Sequence, residues 1–478
     1  MARYEWDAIV VGSGPNGLSA AVTLQRAGLS VLIMEGSERI GGGARSAALT
    51  LPGFVHDVCS AVHPLAVAAP FFSSLPLDQF GLRYLYPAID AAHPFDDGSA
   101  AVLTRSVLDT ATSLGNDAHS YEKLVGATVR DWEKLSPAIL GPLRFPSHPV
   151  AMARFGTKAL TSARYLAGRF SGKTARGFWA GMAAHALEPL SNLGSSATAL
   201  VLLAAGHVHG WPVVEGGSGR LTEALAGYFR SLGGEIMTGQ YVTSLTDLPR
   251  SEAVLLDVTP RQLLQIAGRQ FTPFYRRQLD RFRYGPGVFK VDWALADPIP
   301  FSAKACLGAG TVHLGNTLEE IAHAEYEAWA GRHAARPFVL LAQQSLVDPS
   351  RAPAGRHTAW AYCHVPHGSE RDMTQAIEDQ VERFAPGFRD TILGRHTFNT
   401  KELEAYNPND VGGDINGGAM DITQLFTRPA LRWSPYRTSA RGIYLCSSST
   451  PPGGGVHGMC GFHAALRTLQ DVFHIDSR

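Results

Sequence analysis

Glycine occupies positions 12, 14 and 17, directly after the apolar run Asp7–Val11. Glycines at this spacing allow a tight turn, a close approach of the backbone to a ligand and close packing of the helix that follows. The predicted helix has apolar residues at helical spacing, and its free N–H groups and positive dipole end favour a phosphate. Gly12, Gly14 and Gly17 therefore predict a pyrophosphate-binding turn.

A carboxylate follows at the distance that a dinucleotide requires. The apolar run Val31–Met34 ends at Glu35, about twenty residues after the turn, where a carboxylate can accept a hydrogen bond from a ribose hydroxyl. The stretch Gly36–Ser46 adds a second glycine cluster, and its Arg39 and Arg45 can offset phosphate charge. Together these residues predict a dinucleotide-binding unit.

Four side chains are candidates for proton transfer. Histidine titrates near neutrality, which suits general acid–base chemistry, although each of the 18 histidines also has a structural alternative. The histidine pairs at 207/209 and 364/367 have no matching cysteine or carboxylate ligands, so no metal site is expected. The candidates are His457, His63, Asp57 and His313.

The elements that must position these residues are spread along the chain. Strand and helix patterns return near 211–260, where one strand-like run reaches Val242 and another spans Leu255–Pro260. A further strand at Gly442–Cys446 is followed by the loop Ser447–Gly458 and a closing helix. A sheet assembled from these separated segments would bring the last loop to the first turn.

Composition limits the classes of function. The chain has 478 residues, more than one compact domain usually holds, so two domains are expected. Its net charge is zero, which provides no global field to attract nucleic acid, and we expect no nucleic-acid partner. Five cysteines, none of them in a CxxC pair, favour a reducing compartment and argue against a flavin–disulfide reductase. The first strand begins too early for a signal peptide, so a cytoplasmic location is expected.

The segment 144–176 is basic. No Asp or Glu occurs between Lys134 and Leu187. If 151–176 were one helix, Arg154, Lys158, Arg169, Lys173 and Arg176 would share a face, beside aromatic residues. Such a segment can rest on an anionic membrane surface. The alternative is a solvated face balanced by acids elsewhere, with a helix break at Ser171–Gly172.

The whole pattern resembles the phytoene desaturase and carotenoid isomerase branch of the FAD-dependent oxidoreductases, within the amine-oxidase-like superfamily. The subgroup named for pyridine nucleotide-disulphide oxidoreductase domain-containing protein 2 is especially similar. The specific stretches are Leu51–Leu65, Gly285–Trp293, Ala309–Gly315, Gly412–Ile415 and Ser447–Gly461.

The resemblance implies an α/β fold with a Rossmann-type FAD-binding domain of the GR2 or amine-oxidase-like kind. That domain would be assembled from residues 1–75, 210–272 and 435–478. An inserted α+β substrate-binding domain would comprise 76–209 and 273–434.

The resemblance also assigns cofactor contacts. Val242 would meet the adenine through its backbone, and Val456, at a helix start, would help to stabilise negative charge on reduced flavin. Related enzymes often carry an acid where this chain reads Cys446–Ser449, which leaves the role of that position open. The residues expected to contact FAD are Gly12, Gly14, Pro15, Asn16, Gly17, Glu35, Gly36, Arg39, Gly42, Gly43, Ala44, Arg45, Val242, Ser449, Gly455, Val456 and His457.

The expected chemistry is hydride transfer to flavin N5 from an isoprenoid, polyene or acyl-lipid substrate, with desaturation or isomerisation of a C–C bond. The apolar run 197–206 suits such a substrate, and the electrons would leave to a quinone or to oxygen. One alternative is an amine-oxidase-like flavoenzyme for a small amine, with a compact aromatic cavity. Another is a non-catalytic flavoprotein that serves as a lipid-binding or interaction module. The glycine–arginine segment after Glu35 disfavours an NAD dehydrogenase.

Overall fold

The structure is a computed structural model that describes residues 4–476. Its strands are β1 (Trp6–Val11), β2 (Val31–Met34), β3 (Ser46–Ala47), β4 (His56–Asp57), β5 (Tyr84–Leu85), β6 (Ile89–Pro94), β7 (Ala100–Leu103), β8 (Val213–Val214), β9 (Glu235–Met237), β10 (Ser251–Leu256), β11 (Gly287–Leu295), β12 (Ala309–Leu314), β13 (Val339–Ala342), β14 (His357–Val365), β15 (Ile392–Phe398) and β16 (Ile443–Leu445).

The α-helices are α1 (Pro15–Arg26), α2 (Pro64–Ala68), α3 (Pro70–Ser73), α4 (Val107–Ser113), α5 (Ala118–Leu124), α6 (Gly126–Arg130), α7 (Trp132–Ile139), α8 (Pro149–Ala159), α9 (Ala163–Ala167), α10 (Lys173–Ala184), α11 (Ser196–His209), α12 (Gly219–Ser231), α13 (Pro260–Ala267), α14 (Pro273–Asp280), α15 (Leu318–Trp329), α16 (Thr374–Phe384), α17 (Thr400–Tyr406), α18 (Ile422–Leu425) and α19 (Met459–Asp471).

A five-stranded sheet carries the glycine-rich turn. Its strand order is β16–β10–β1–β2–β9, and all four pairings are parallel. Strands β1 and β2 are almost wholly apolar and buried, as expected of a parallel sheet covered on both faces. Helices α1, α12 and α19 pack on one face, and α13 and α14 pack on the other. The predicted α/β fold class with a Rossmann-type sheet is confirmed.

A seven-stranded sheet forms the second layer system. Its order is β15–β11–β14–β13–β12–β6–β7, and only the β12–β6 pairing is parallel. Ile377, Val381 and Phe384 of α16 pack against one face. Trp360 and Tyr362 of β14 point from the other face toward α10 and α11. This sheet and these helices form the wall opposite the five-stranded sheet.

The single helix considered over 151–176 does not form. The segment divides into α8, α9 and the start of α10, because side chains bind the backbone N–H groups between them. Ser162 caps α9 through the Tyr165 N–H, and Asp117 accepts from the N–H groups of Ser171 and Gly172. Between residues 4 and 476, no helix is both long enough and apolar enough to cross a membrane.

Two further expectations about local structure are wrong. Val242 does not end a strand, because β9 stops at Met237 and Gly239 then turns the chain with φ +68°. Val456 does not begin a helix, because α19 starts three residues later, at Met459, after Gly458 with φ +67°. Val242 and Val456 therefore both lie in loops.

Candidate functional site

A long cavity of about 980 Å³ joins the two sheets. It passes the carboxyl ends of β2, β1, β10 and β16, where ligands of open α/β sheets bind, and continues to β14. Its volume is at the upper end of the range of about 300–1,000 Å³ for small-molecule sites. The cavity is therefore large enough for an extended cofactor with a substrate beside it.

The glycine-rich turn brings bare backbone to this cavity. Gly12 has φ +100°, and a Cβ on Gly17 would collide with the Gly12 carbonyl oxygen. A Cβ on Gly42 would lie 3.0 Å from the Cα of Gly14, so the two glycine loops touch with no side chain between them. The start of α1 is thereby exposed to a pyrophosphate.

Glu35 is held rigidly at the end of β2. Its carboxylate accepts from the N–H of Ser13 at 2.9 Å and from the N–H of Ser37 at 2.8 Å. The Arg45 guanidinium lies 3.4 Å from Glu35 and 5.3 Å from the centre of the Tyr406 ring. A ribose hydroxyl donor and a phosphate would thus each find a group of suitable charge.

Asp257, which is not among the residues predicted from the sequence, lies under the same turn. Its Oδ2 accepts from the Gly17 N–H at 2.9 Å. Burial raises the pKa of Asp257 to about 7, which weakens its negative charge beside the expected phosphate site. The signal in the sequence was its place directly after β10, the parallel neighbour of β1.

The structure brings most of the predicted cofactor contacts to the cavity, but not all of them. Gly17 shapes the turn from behind, Arg39 is exposed away from the cavity, and the Ser449 hydroxyl donates to the Gly417 carbonyl. The predicted contacts that line the cavity are Gly12, Gly14, Pro15, Asn16, Glu35, Gly36, Gly42, Gly43, Ala44, Arg45, Val242, Gly455, Val456 and His457.

His457 is engaged at both ring nitrogens. Nδ1 accepts from the N–H of Met459, and Nε2 lies 3.1 Å from the Gly453 carbonyl, to which it donates. Burial lowers the pKa of His457 to about 4. The imidazole thus holds the loop before α19 in place and has no nitrogen free for substrate.

Asp57 and His63 also have structural partners. Asp57 forms a fully buried ion pair with Arg351 and accepts from the N–H of Ser218, and it does not line the cavity. His63 does line the cavity, but its Nε2 lies 2.8 Å from the Ser218 hydroxyl, and burial lowers its pKa to about 4. Both side chains connect β4 and the following loop to the start of α12.

His313 lies behind the cavity wall and is linked to it through another histidine. Its Nε2 is 2.9 Å from Nε2 of His185, and His185 faces the cavity at the end of α10. Burial lowers the pKa of His185 to about 3 and that of His313 further, so both rings are neutral at pH 7. No local pattern indicated His185, because its partner is 128 residues away.

Unpartnered acceptors in the cavity fit the hydroxyl groups of FAD. Asn16 Oδ1 and Asp410 Oδ2 are buried, belong to lining residues and have no hydrogen-bond partner. FAD offers hydroxyl donors on its ribose and ribityl chain, and its pyrophosphate matches the bare turn. Within residues 4–476, no three His, Cys, Asp or Glu side chains are arranged to hold a metal ion.

Comparison with known proteins agrees with this geometry. Residues 10–71 match the model of the NAD(P)-binding Rossmann-like domain family. Pyridine nucleotide-disulfide oxidoreductase domain-containing protein 2 of Rattus norvegicus is 26% identical, with 98% of this chain and 94% of that protein covered. A subunit of limonene dehydrogenase from Castellaniella defragrans is 23% identical, with 98% and 95% covered.

The structural comparison gives the fold. The structure of putrescine oxidase bound to putrescine has a TM-score of 0.63 and 16% identity, and the match covers 98% of this chain and 99% of that chain. The fold is therefore that of FAD-dependent, amine-oxidase-like oxidoreductases. The comparisons agree with an oxidoreductase that uses FAD.

Proposed function

We propose that this chain is an FAD-dependent oxidoreductase that takes a hydride from a C–H bond of an apolar isoprenoid, polyene or acyl-lipid substrate. The product would be desaturated or isomerised, and after desaturation the electrons would pass to a quinone or to oxygen. The observation that carries the proposal is the apolar character of the cavity beyond the glycine loops.

That part of the cavity offers no carboxylate to a polar amine. The acidic lining residues are Glu35, Asp257 and Asp410, and all three lie beside the glycine loops. A buried ammonium group without a carboxylate partner would lose its hydration without compensation. The lining residues of the substrate part are mainly apolar or aromatic, among them Leu65, Leu140, Phe155, Val201, Leu202, Leu340, Trp360, Tyr362 and Ile415.

The name of the limonene dehydrogenase relative, which matches along nearly the whole chain, supports a hydrocarbon substrate. The alternative, an oxidase for a small amine, is favoured by the likeness to putrescine oxidase and by one local feature. Trp360 and Tyr362 stack with ring centres 5.5 Å apart, and an aromatic wall can attract a cation.

FAD, when bound, accepts the hydride equivalent. Abstraction of a hydride next to double bonds leaves a cation that loses a proton readily, so a weak base suffices. His185 faces the cavity in neutral form, and His313 lies within hydrogen-bond distance behind it. We therefore assign His185 as the group that receives the proton and His313 as the residue that positions it.

Replacement of His185 by glutamine should lower the rate of substrate-dependent flavin reduction about tenfold. This is less than the 10²–10⁴-fold typical of a general base, because the proton donor is strongly acidic. Stopped-flow absorbance measures the rate. His207→Gln is the matched control, since His207 is a buried histidine bonded to Tyr121 and does not line the cavity. Equal rates for His185→Gln and wild type would remove His185 from the reaction.

The proposed function is tested by anaerobic mixing of the purified holoprotein with a library of polyenes, terpenes, acyl lipids and amines. Bleaching of the flavin band by an apolar compound, with a desaturated product, is the expected result. Products are analysed in parallel, because an isomerase would give no net bleaching. Bleaching by amines alone supports the alternative, and bound FAD that no compound reduces or converts supports a lipid-binding flavoprotein. Protein that takes up no FAD overturns all three.

We also propose that the rim of the cavity contacts a membrane surface from which such a substrate would enter. The charged face considered in the sequence is largely paired, because Arg154, Lys173 and Arg176 meet Asp131, Asp97 and Glu319. Apolar side chains remain exposed instead: Leu143, Leu160 and Phe426 line the cavity, and Phe145 is 87% exposed.

The double variant L143S/F145S should bind vesicles of anionic phospholipid at least tenfold more weakly than wild type. The reason is the loss of apolar burial, worth about 1.5–3 kcal/mol for each fully inserted side chain. Co-sedimentation measures the partition coefficient. Phe274→Ser serves as the control, because Phe274 is 74% exposed and lies outside the cavity lining. A wild-type protein that ignores vesicles would contradict the membrane proposal.

A further inference from the structure

Arg428 is a guanidinium enclosed in the cavity wall. It is 1% exposed and belongs to the lining residues. Its hydrogen bonds all end on neutral acceptors. Nε and Nη2 donate to backbone carbonyls, and Nη1 donates to a thioether sulfur: the acceptors are Ser449 O, Asn416 O, Gly417 O, Ser448 O and Met420 Sδ.

The charge of Arg428 has no contacting carboxylate to offset it. The nearby Asp414 is already occupied, because its two oxygens accept from the N–H groups of Gly285, Asn416 and Gly418. Burial lowers the pKa of Arg428 below its ordinary value, which reflects the cost of enclosing a cation. An anion beside this guanidinium would recover part of that cost.

One donor group of Arg428 is poorly satisfied. Nη1 has only the sulfur of Met420, at 2.8 Å, and a thioether is a weak acceptor. The same Nη1 lies 3.4 Å from the position that a Cβ on Gly453 would occupy, and Gly453 has none. The guanidinium therefore keeps a strong donor for a better acceptor.

The position of Arg428 along the cavity follows from the strand order. Glu35 follows β2 and Ser447 follows β16, and β1 and β10 lie between those strands. Neighbouring strands are about 4.8 Å apart, so these three steps span roughly 14 Å. A dinucleotide that is anchored at Glu35 and crosses the glycine turn would place its far ring near Ser448, which Arg428 holds.

We propose that Arg428 binds a planar, delocalised anion at this end of the cavity, and that the reduced isoalloxazine ring of the proposed FAD is its source. The alternative source of the same chemistry is a carboxylate on the substrate. The inference rests on the proposed FAD and gives Arg428 the role that was expected of Val456. A cation near the ring favours electron uptake, because it stabilises the charge that reduction adds.

Sulfite titration of the holoprotein tests this role without substrate. Sulfite adds to flavin N5 and leaves negative charge on the ring, and the loss of the visible band reports its affinity. Arg428→Met should bind sulfite at least tenfold more weakly than wild type at equal FAD content. Arg428→Lys keeps the charge but loses the fork of donors that holds the two loops, so its sulfite affinity should lie nearer wild type.

Met420→Gln keeps the guanidinium and decides the matter if Arg428→Met does not retain FAD. The glutamine carbonyl would occupy Nη1, so sulfite affinity should fall severalfold, whereas the control Met420→Leu should leave it unchanged. A second titration with decanoate distinguishes the sources. Loss of decanoate binding with unchanged sulfite affinity would move the anion to the substrate and overturn the flavin assignment.

Unchanged affinities for both ligands in both the Arg428→Met and the Met420→Gln variants would overturn the inference altogether. Equal losses in Arg428→Lys and Arg428→Met would also overturn it, since they would show that Arg428 acts only by holding the loops. Wild-type protein that takes up no FAD would instead refute the proposed function itself.

Discussion

Purified Gly17→Ala protein should be nearly colourless, with FAD affinity about 100-fold below that of wild type. The added Cβ would press on the Gly12 carbonyl oxygen and lie 3.1 Å from the Asp257 carboxylate. Neither group can retreat, because Gly12 is part of the turn and Asp257 is bonded to the Gly17 N–H. Overpacking of this kind costs up to about 3 kcal/mol, and the resulting shift would fall on the start of α1.

Quenching of flavin fluorescence during titration of the apoprotein measures this affinity. Gly268→Ala is the matched control, because its Cβ would meet only the Leu264 side chain, at 3.7 Å, and should leave FAD binding unchanged. If Gly17→Ala retained a full complement of FAD, the glycine turn would not be the pyrophosphate site.

The buried ion pair between Asp57 and Arg351 should contribute strongly to stability. Both side chains are fully buried, so Arg351→Met would leave a carboxylate without a charged partner. Such a loss typically costs about 3–5 kcal/mol. Urea unfolding at pH 7 should show this decrease, while the exposed Arg356→Met should stay within about 0.5 kcal/mol of wild type.

The effect should shrink on acidification. Burial alone would raise the pKa of Asp57, but the charge of Arg351 and the Ser218 N–H reverse this and leave it lowered. In wild type, Asp57 therefore stabilises the fold above its unfolded pKa, and this stability is lost as the pH falls through the folded pKa. In Arg351→Met, burial raises that pKa, so the variant gains relative stability as Asp57 becomes protonated.

Unfolding midpoints at pH 7 and pH 5 measure this convergence. The double variant Asp57→Asn/Arg351→Met, which removes both charges, should recover part of the lost stability. A gap between wild type and Arg351→Met that stayed constant from pH 7 to pH 5 would contradict the assignment of the effect to Asp57.

Local patterns predicted the nucleotide part of the molecule well. The glycine turn, β1, α1, β2 and Glu35 are contiguous in sequence, and each has a backbone requirement that few residue types satisfy. The joining of β10 and β16 to this unit followed from their apolar runs. The end of β9 was placed too late, because the turn at Gly239 competes with the strand-like pattern that follows it.

Most of the catalytic candidates were chosen by residue type, and residue type does not reveal partners. His457 and Asp57 can each transfer a proton in principle, but their partners in the fold occupy them. His185 and Arg428 owe their positions to contacts that no sequence window contains. A long-range fold decides which titratable group faces the cavity, so spacing alone could not find them.

The order of the lining segments along the chain bears on how the protein is made. Translation produces the turn at Gly12–Gly17 first and the wall at Ser447–His457 last of all the segments that line the cavity. A chain emerging from the ribosome therefore has a grip for phosphate long before it has a wall for the ring. A cell short of flavin should accumulate finished, empty protein, and later addition of the vitamin should restore its colour without new synthesis.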